Sequence, residues 1–280
     1  MSTFELATQS EEEIASMEPK LVPKLAPKLA QSKAIIAREK SKAKTQKVAQ
    51  QPGFVLHSYP YKETSLIIEV FTRDYGRVAL VAKGAKRPFS HLRSVLQTFQ
   101  PLTFSWTGKG EIPILMSADW VGGMLPLEKS SLLSGFYLNE LLIKFVLRSE
   151  PIPHLFDQYV SSLNQLAHQE PLEIVLRRFE IALLRASGLI PEFKRCTQNG
   201  AQIIADQHYT FDPTAGVAPY EQANGTPIVL GKTLLDMEAG NYSDSTTRMQ
   251  SKMLMRFLLS HHLHGGSLKT RQILIDLHSL

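Results

Sequence analysis

The stretch VAKGAKRPFSHLR, residues 81–93, gathers Lys83, Lys86, Arg87 and Arg93 into one short segment that Gly84 and Pro88 interrupt. Cations on a connection of this kind form either a solvated surface or a grip on a polyanion. Phe89 lies inside the cluster. Cations with an interleaved ring are what a single nucleic-acid strand needs, because the cations meet phosphates and the ring stacks on bases. Tyr59, Tyr61 and Trp106 are further stacking candidates, although such residues more often belong to a core. Arg73 and Arg77 flank the turn before the strand that leads into the segment, and they extend the expected cationic track.

Other chemistries find little support. There is no phosphate-binding loop of the Gly-x4-Gly-Lys-Ser/Thr type, and Gly108-Lys109-Gly110 reads as a hairpin turn. His261, His262 and His264 crowd one helix end without a carboxylate or thiol at metal-ligand spacing. The single cysteine, Cys196, has no neighbouring base and permits no intrachain disulfide, which fits a reducing cytoplasm. A nuclease would need clustered carboxylates, whereas Asp74, Asp119, Asp206 and Asp212 are scattered along the chain. No residue pattern argues for an enzyme or a bound cofactor. From the residues alone a grip on a polyanion is the leading reading, and a protein-binding adaptor that touches nucleic acid weakly is the alternative.

The elements that must hold the basic segment are short strands. GFVLHSY, TSLIIEVFT, RVALVAKG, QPLTFSWTG and EIPILMSADW are β-rich runs separated by Gly, Pro and Asp, and they predict a small barrel or sandwich over residues 51–126. The longest gap, 84–98, carries the basic cluster, so the charge sits on a connection, where such folds place binding residues. From Leu127 the period becomes helical. Leu133, Tyr137, Leu141 and Phe145 recur every fourth residue in a helix ended by Pro151, and Pro171 and Gly188 bracket another. Residues 127–280 therefore read as an all-α domain, interrupted by an irregular insertion at 190–227 and ending in a short helix near 271–277.

Residues 1–50 differ from the rest. They hold nine basic and six acidic residues, against 22 and 20 in the remainder, and contain the repeat PKLVPKLAPKLA. Proline at every fourth position excludes a regular helix, so a disordered basic tail is expected. No secretory pattern opens the chain, and no apolar run is long enough to span a membrane.

FVLHSYPYKETSLIIEVFTRDYGRVALVAKGAKR and LQTFQPLTFSWTGKGEI resemble the N-terminal half of the RecO family of bacterial recombination mediators. SGFYLNELLIKFV, LRRFEIALL and MRFLLSHHLHGGSLKTRQIL resemble its helical half. The resemblance implies an α+β multidomain chain, in which an OB-fold β-barrel precedes a helical domain. It also implies binding to single- and double-stranded DNA, strand annealing, partnership with RecR and with the tail of the single-stranded-DNA-binding protein, and assistance to RecA loading at the nucleoid. That tail is acidic with an apolar, carboxylate-bearing end. Lys144 and Arg148, beside Tyr137, Leu141 and Phe145, supply suitable chemistry for it.

Many members carry a four-cysteine zinc site in the insertion. Here Cys196 is the only cysteine and Asn199 stands where a second would be, so a degenerate zinc-ribbon-like insertion without metal is expected, packed through Phe193, Tyr209, Phe211 and Tyr220. Arg177, Arg178 and Arg185 are candidates for a second cationic face. For Arg177 a local pair with Glu173 is the simpler reading, and Glu140 is similarly placed to pair with Lys144.

Overall fold

Short apolar, β-rich runs between residues 46 and 120 form five strands in the computed structural model, which describes residues 46–108, 112–213, 215–220, 225–263, 266–270 and 272–273. They are β1 (Gln46–Tyr61), β2 (Ser65–Thr72), β3 (Gly76–Ala82), β4 (Leu102–Gly108) and β5 (Ile114–Trp120). Neighbours run β1-β2-β3-β5-β4 and close into a barrel. Its interior is filled by residues such as Val55, Ile68, Val70, Leu80, Phe104 and Trp106. The first strand starts at Gln46, earlier than the sequence pattern indicates, and Val48 is already in the barrel core. Apart from those first strand residues the tail lies outside the described residues, as do the 109–110 turn and most of the helix expected at 271–277.

One short helix, α1 (His91–Val95), lies in the 84–98 connection that sequence reading left irregular. The second half is helical: α2 (Lys129–Phe145), α3 (Pro153–Ala167), α4 (Leu172–Ala186), α5 (Gly231–Ala239) and α6 (Ser245–His262). Local chemistry marks several ends. Pro153 opens α3, the Asp244 carboxylate accepts from the Thr246 N–H at the start of α6, and Gly240 closes α5 in the left-handed region. Between α4 and α5 lies a small sheet ordered β7-β6-β8, formed by β6 (His208–Asp212), β7 (Gly216–Pro219) and β8 (Ile228–Leu230). Elsewhere in the insertion an isolated bridge joins Arg195 to Gln202.

The outer face of the barrel does not end at water. Phe54, Leu56 and Phe71 belong to the same apolar core as Leu138, Tyr159 and Phe179 of the helices. The Phe54 and Tyr159 rings meet edge-on at 5.4 Å, and Phe71 lies 5.5 Å from Phe156. A buried polar chain crosses the same junction. The Tyr159 hydroxyl donates to Asn139 Oδ1 at 2.6 Å, and Asn139 Nδ2 donates to the Leu56 carbonyl at 3.0 Å. Burial holds the Tyr159 hydroxyl in its neutral form by pushing its pKa well up.

At the edge of this junction the Glu69 carboxylate, almost wholly buried, accepts from Arg77 of β3 at 2.9 Å and also from Arg148. Arg77 further donates to the Val146 carbonyl, and the Ser149 N–H donates to the Arg77 carbonyl. The β2–β3 turn is seated just as closely, since a Cβ at Gly76 would lie 1.9 Å from the Glu150 carbonyl oxygen.

These contacts set a stability contrast. Glu69→Ala leaves the largely buried Arg77 unpaired and is expected to cost about 3–5 kcal/mol. Arg148→Ala removes a half-exposed partner and is expected to cost about 1 kcal/mol or less. Urea unfolding of the two variants measures the difference.

Candidate nucleic-acid interface

The basic connection is held down by its own apolar residues. Ala85 is buried in the barrel interior, and Leu92, Val95 and Leu96 pack against the same core. Gly84 adopts φ +69°, which turns the chain so that the Arg87 N–H reaches the Gly84 carbonyl at 3.1 Å. The Ser90 and Arg93 N–H groups continue this pattern of local bonds, and the Lys86 N–H donates to Thr64 at the β1–β2 hairpin tip. The backbone is therefore fixed while the polar side chains point outward. Lys83, Lys86, Arg87 and Arg93 are all exposed, and Phe89 is fully exposed at 101%. None of the four cations forms an ion pair among the described residues. An unpaired cation breaks no ion pair when it meets a phosphate, and the fixed backbone confines the ordering cost to the side chain.

Arg73 and Arg77 do not extend this track. They lie at the opposite end of β3 from the connection, about 20 Å away at strand rise. Arg77 is committed to Glu69 and Val146, and Arg73 pairs with Asp157 of α3 at 3.2 Å. Among the stacking candidates Trp106 is core, edge-on to Tyr75, whereas Tyr59 is 42% exposed.

The expected partner row is corrected more deeply. Leu141 is completely buried, and Phe145 and Tyr137 pack against the helical core. Helix α2 stops at Phe145, well short of Pro151, because the next residues run beside β3 and Arg148 forms a bridge with Arg77. Lys144 and Arg148 therefore do not share a helix face. Glu140 does not pair with Lys144 but caps the Lys269–Thr270 turn through both backbone N–H groups. The second cationic face is likewise absorbed into the fold. Arg177 pairs with Glu180 rather than Glu173, Arg178 holds the Gly240 carbonyl, and Arg185 pairs with Glu238. Glu173 pairs with Arg248 instead.

A cleft of about 720 Å³ opens between α2, α4 and α6. Leu176, Leu259 and Leu263 line it, and Arg248, Lys252 and Arg256 stand along its α6 side. At its wall Glu180 is fully buried. Its Oε1 accepts from the Tyr137 hydroxyl at 2.7 Å and from Arg177, while Oε2 and the Tyr242 hydroxyl have no hydrogen-bond partner among the described residues. Burial raises the Glu180 carboxyl pKa, against the opposing pull of Arg177 and Tyr137. Sequence reading missed Lys252 and Arg256. Their signal was the i, i+4 spacing in SKMLMRF, which placed them on one face but did not say what that face overlooked.

The insertion does not suit a metal. The Cys196 thiol donates to the Val217 carbonyl at 3.2 Å, and Asn199 Oδ1 accepts from the Ala201 N–H at 3.0 Å. Backbone bonds join Cys196 to Ala201 and Thr197 to Val217 across the same knuckle. Phe193, Tyr209 and Phe211 are buried beneath it, as the sequence suggested, whereas Tyr220 is 41% exposed. Among the described residues no group of three or more His, Cys, Asp or Glu is placed to hold a metal ion. No helix among them is long and apolar enough to cross a membrane.

Residues 47–124 match the family profile "Recombination protein O N terminal", and residues 130–272 match "Recombination protein O C terminal". The chain belongs to the RecO family. A "DNA repair protein RecO" from Ralstonia nicotianae is 58% identical over 236 residues, covering 84% of this chain and 86% of the relative. The Burkholderia lata protein of that name is 56% identical over 245 residues, covering 87% and 88%. The one from Polynucleobacter necessarius is 49% identical over 237 residues, covering 82% and 97%.

Two outcomes follow from the geometry. Chelator treatment is expected to leave the thermal midpoint unchanged, and metal analysis is expected to find no stoichiometric zinc. Arg77→Ala is expected to lower stability by about 3 kcal/mol while leaving the salt slope of DNA binding intact, measured by unfolding and by fluorescence titration.

Proposed function

We propose that this RecO-family chain is a non-enzymatic DNA-binding mediator of recombinational repair. The observation that carries the reading is the anchored connection 83–93, with four exposed, unpaired cations around a fully exposed Phe89. Phosphates are held by Lys83, Lys86, Arg87 and Arg93, which gives affinity without sequence preference. The closed five-stranded barrel suits an OB-fold, and the knuckle with Cys196 as its single cysteine and Asn199 in place of a second suits a zinc ribbon whose ligands were lost. With an anchored single strand the chain binds gaps and duplex flanks, lowers the repulsion between complementary strands and, with RecR, assists RecA loading.

The partner-tail surface is better placed in the α2–α4–α6 cleft than on the exposed end of α2. A peptide with an acidic stretch and an apolar, carboxylate-bearing end, as on the single-stranded-DNA-binding protein, finds there apolar walls and the cations Arg248, Lys252 and Arg256.

Both parts are testable. Replacing Lys83, Lys86, Arg87 and Arg93 by Ala is expected to weaken oligonucleotide binding and to flatten the plot of log affinity against log salt by about 3 units, if each cation meets one phosphate of a single strand. An unchanged slope would move the DNA site elsewhere. Lys252→Glu with Arg256→Glu is expected to reduce capture of an acidic, apolar-ended peptide at least tenfold, with Lys144→Glu near wild type. The reverse pattern would return the partner site to the end of α2.

A further inference from the structure

The outer face of the β1–β2 ribbon is covered by helices along only part of its length. Its cross-strand pairs run Phe54 with Phe71, His57 with Glu69, Tyr59 with Ile67 and Tyr61 with Ser65. The first pair lies under Phe156 and Tyr159. Glu69 is the last position claimed by the junction, through Arg77 and Arg148. Beyond it Tyr59 is 42% exposed, His57 is exposed, and Ile67 and its β3 neighbour Val81 are half-buried, outside both apolar cores. We infer that this open strip is a base-stacking platform for single-stranded DNA, with Tyr59 as the stacking ring and His57 as the residue that positions it.

Three features favour that occupant. The Tyr59 ring is oriented, because His57 meets it edge-on with ring centroids 4.4 Å apart, so little rotamer freedom is lost when a base lands on it. The strip leads to the hairpin tip, where Thr64 accepts the Lys86 N–H, so it adjoins the phosphate-binding connection directly. The neighbouring charge is mainly positive: Lys62, with its Nζ 5.3 Å from the Tyr61 ring centroid, and then Lys83, Lys86 and Arg87, against Glu63. A strand whose phosphates lie on those cations can turn its bases onto Tyr59 and the apolar floor of Ile67 and Val81. A duplex offers its phosphates to the same cations but keeps its bases paired and stacked. The connection therefore supplies affinity for either form, and the strip supplies preference for the single strand. This inference rests on the connection being the DNA grip proposed above.

The test uses the full chain and three fluorescent ligands of equal length: oligo-dT, an abasic phosphodiester strand and a duplex. Tyr59→Leu is expected to weaken oligo-dT binding about tenfold, within the range for one lost stacked base, and to leave the abasic strand and the duplex within twofold of wild type. Tyr59→Phe, which keeps the ring, is expected to retain wild-type affinity for all three. His57→Ala is expected to give a smaller loss, again confined to oligo-dT. Equal weakening on the abasic strand, or no change on oligo-dT while the quadruple alanine variant still binds weakly, would overturn the platform and leave the connection standing. No loss in the quadruple variant would overturn the connection itself.

Discussion

Glu69 is a carboxylate that cannot reach water, and the arrangement of the two halves follows from satisfying it. Taking an ionised carboxylate out of solvent is costly unless cations and hydrogen bonds compensate it. One cation comes from β3 and the other from the segment just past α2. Satisfying Glu69 therefore fixes the height at which the helical half sits against the barrel. That placement brings Phe54 and Phe71 onto Phe156 and Tyr159, and it decides how much of the outer sheet face stays open. A carboxylate between two arginines contributes little net free energy compared with an apolar substitute, but it penalises any other docking in which an arginine would be left alone.

The junction also sorts the arginines. Arg77, Arg148, Arg177 and Arg185 all have carboxylate partners, and Arg178 has a backbone carbonyl. The cations left unpaired on the basic connection are the ones that a polyanion can claim. The separation is physical, since an arginine already bound to a carboxylate must give up that bond before it can meet a phosphate. The polar atoms at the helical cleft stand the other way round, because Glu180 Oε2 and the Tyr242 hydroxyl have no partner among the described residues.

Much of the architecture was legible from local pattern. The short β-branched, turn-bounded apolar runs TSLIIEVFT and RVALVAKG give β2 and β3, and the change of period after Leu127 gives the helices. The basic connection was legible as well, because turn residues and charge coincide there. What sequence pattern could not supply was pairing across distance. Glu69 sits in an apolar run with nothing nearby to show that Arg77 and Arg148 would converge on it. The early end of α2 was hidden because FVLRSE continues a helical pattern, and tertiary contact with β3 overrides it. Leu141 was misread for a related reason. A row at helical spacing names a face but not what covers it, and α2 turns that face inward. Strands β7 and β8 escaped because four and three residues are too few to show a period.

The shared core has a consequence for synthesis on the ribosome. The barrel strands emerge first, but Phe54, Leu56 and Phe71 on their outer face wait for Phe156 and Tyr159, which follow on the order of ten seconds later at bacterial rates of elongation. Between closure of the barrel, which needs β5 to Trp120, and the arrival of Phe156 and Tyr159, roughly 2–8 s at the same rates, the barrel would display a greasy aromatic flank to other nascent chains. The emerging chain therefore presents a natural binding surface for a holding chaperone until the helices arrive to cover it.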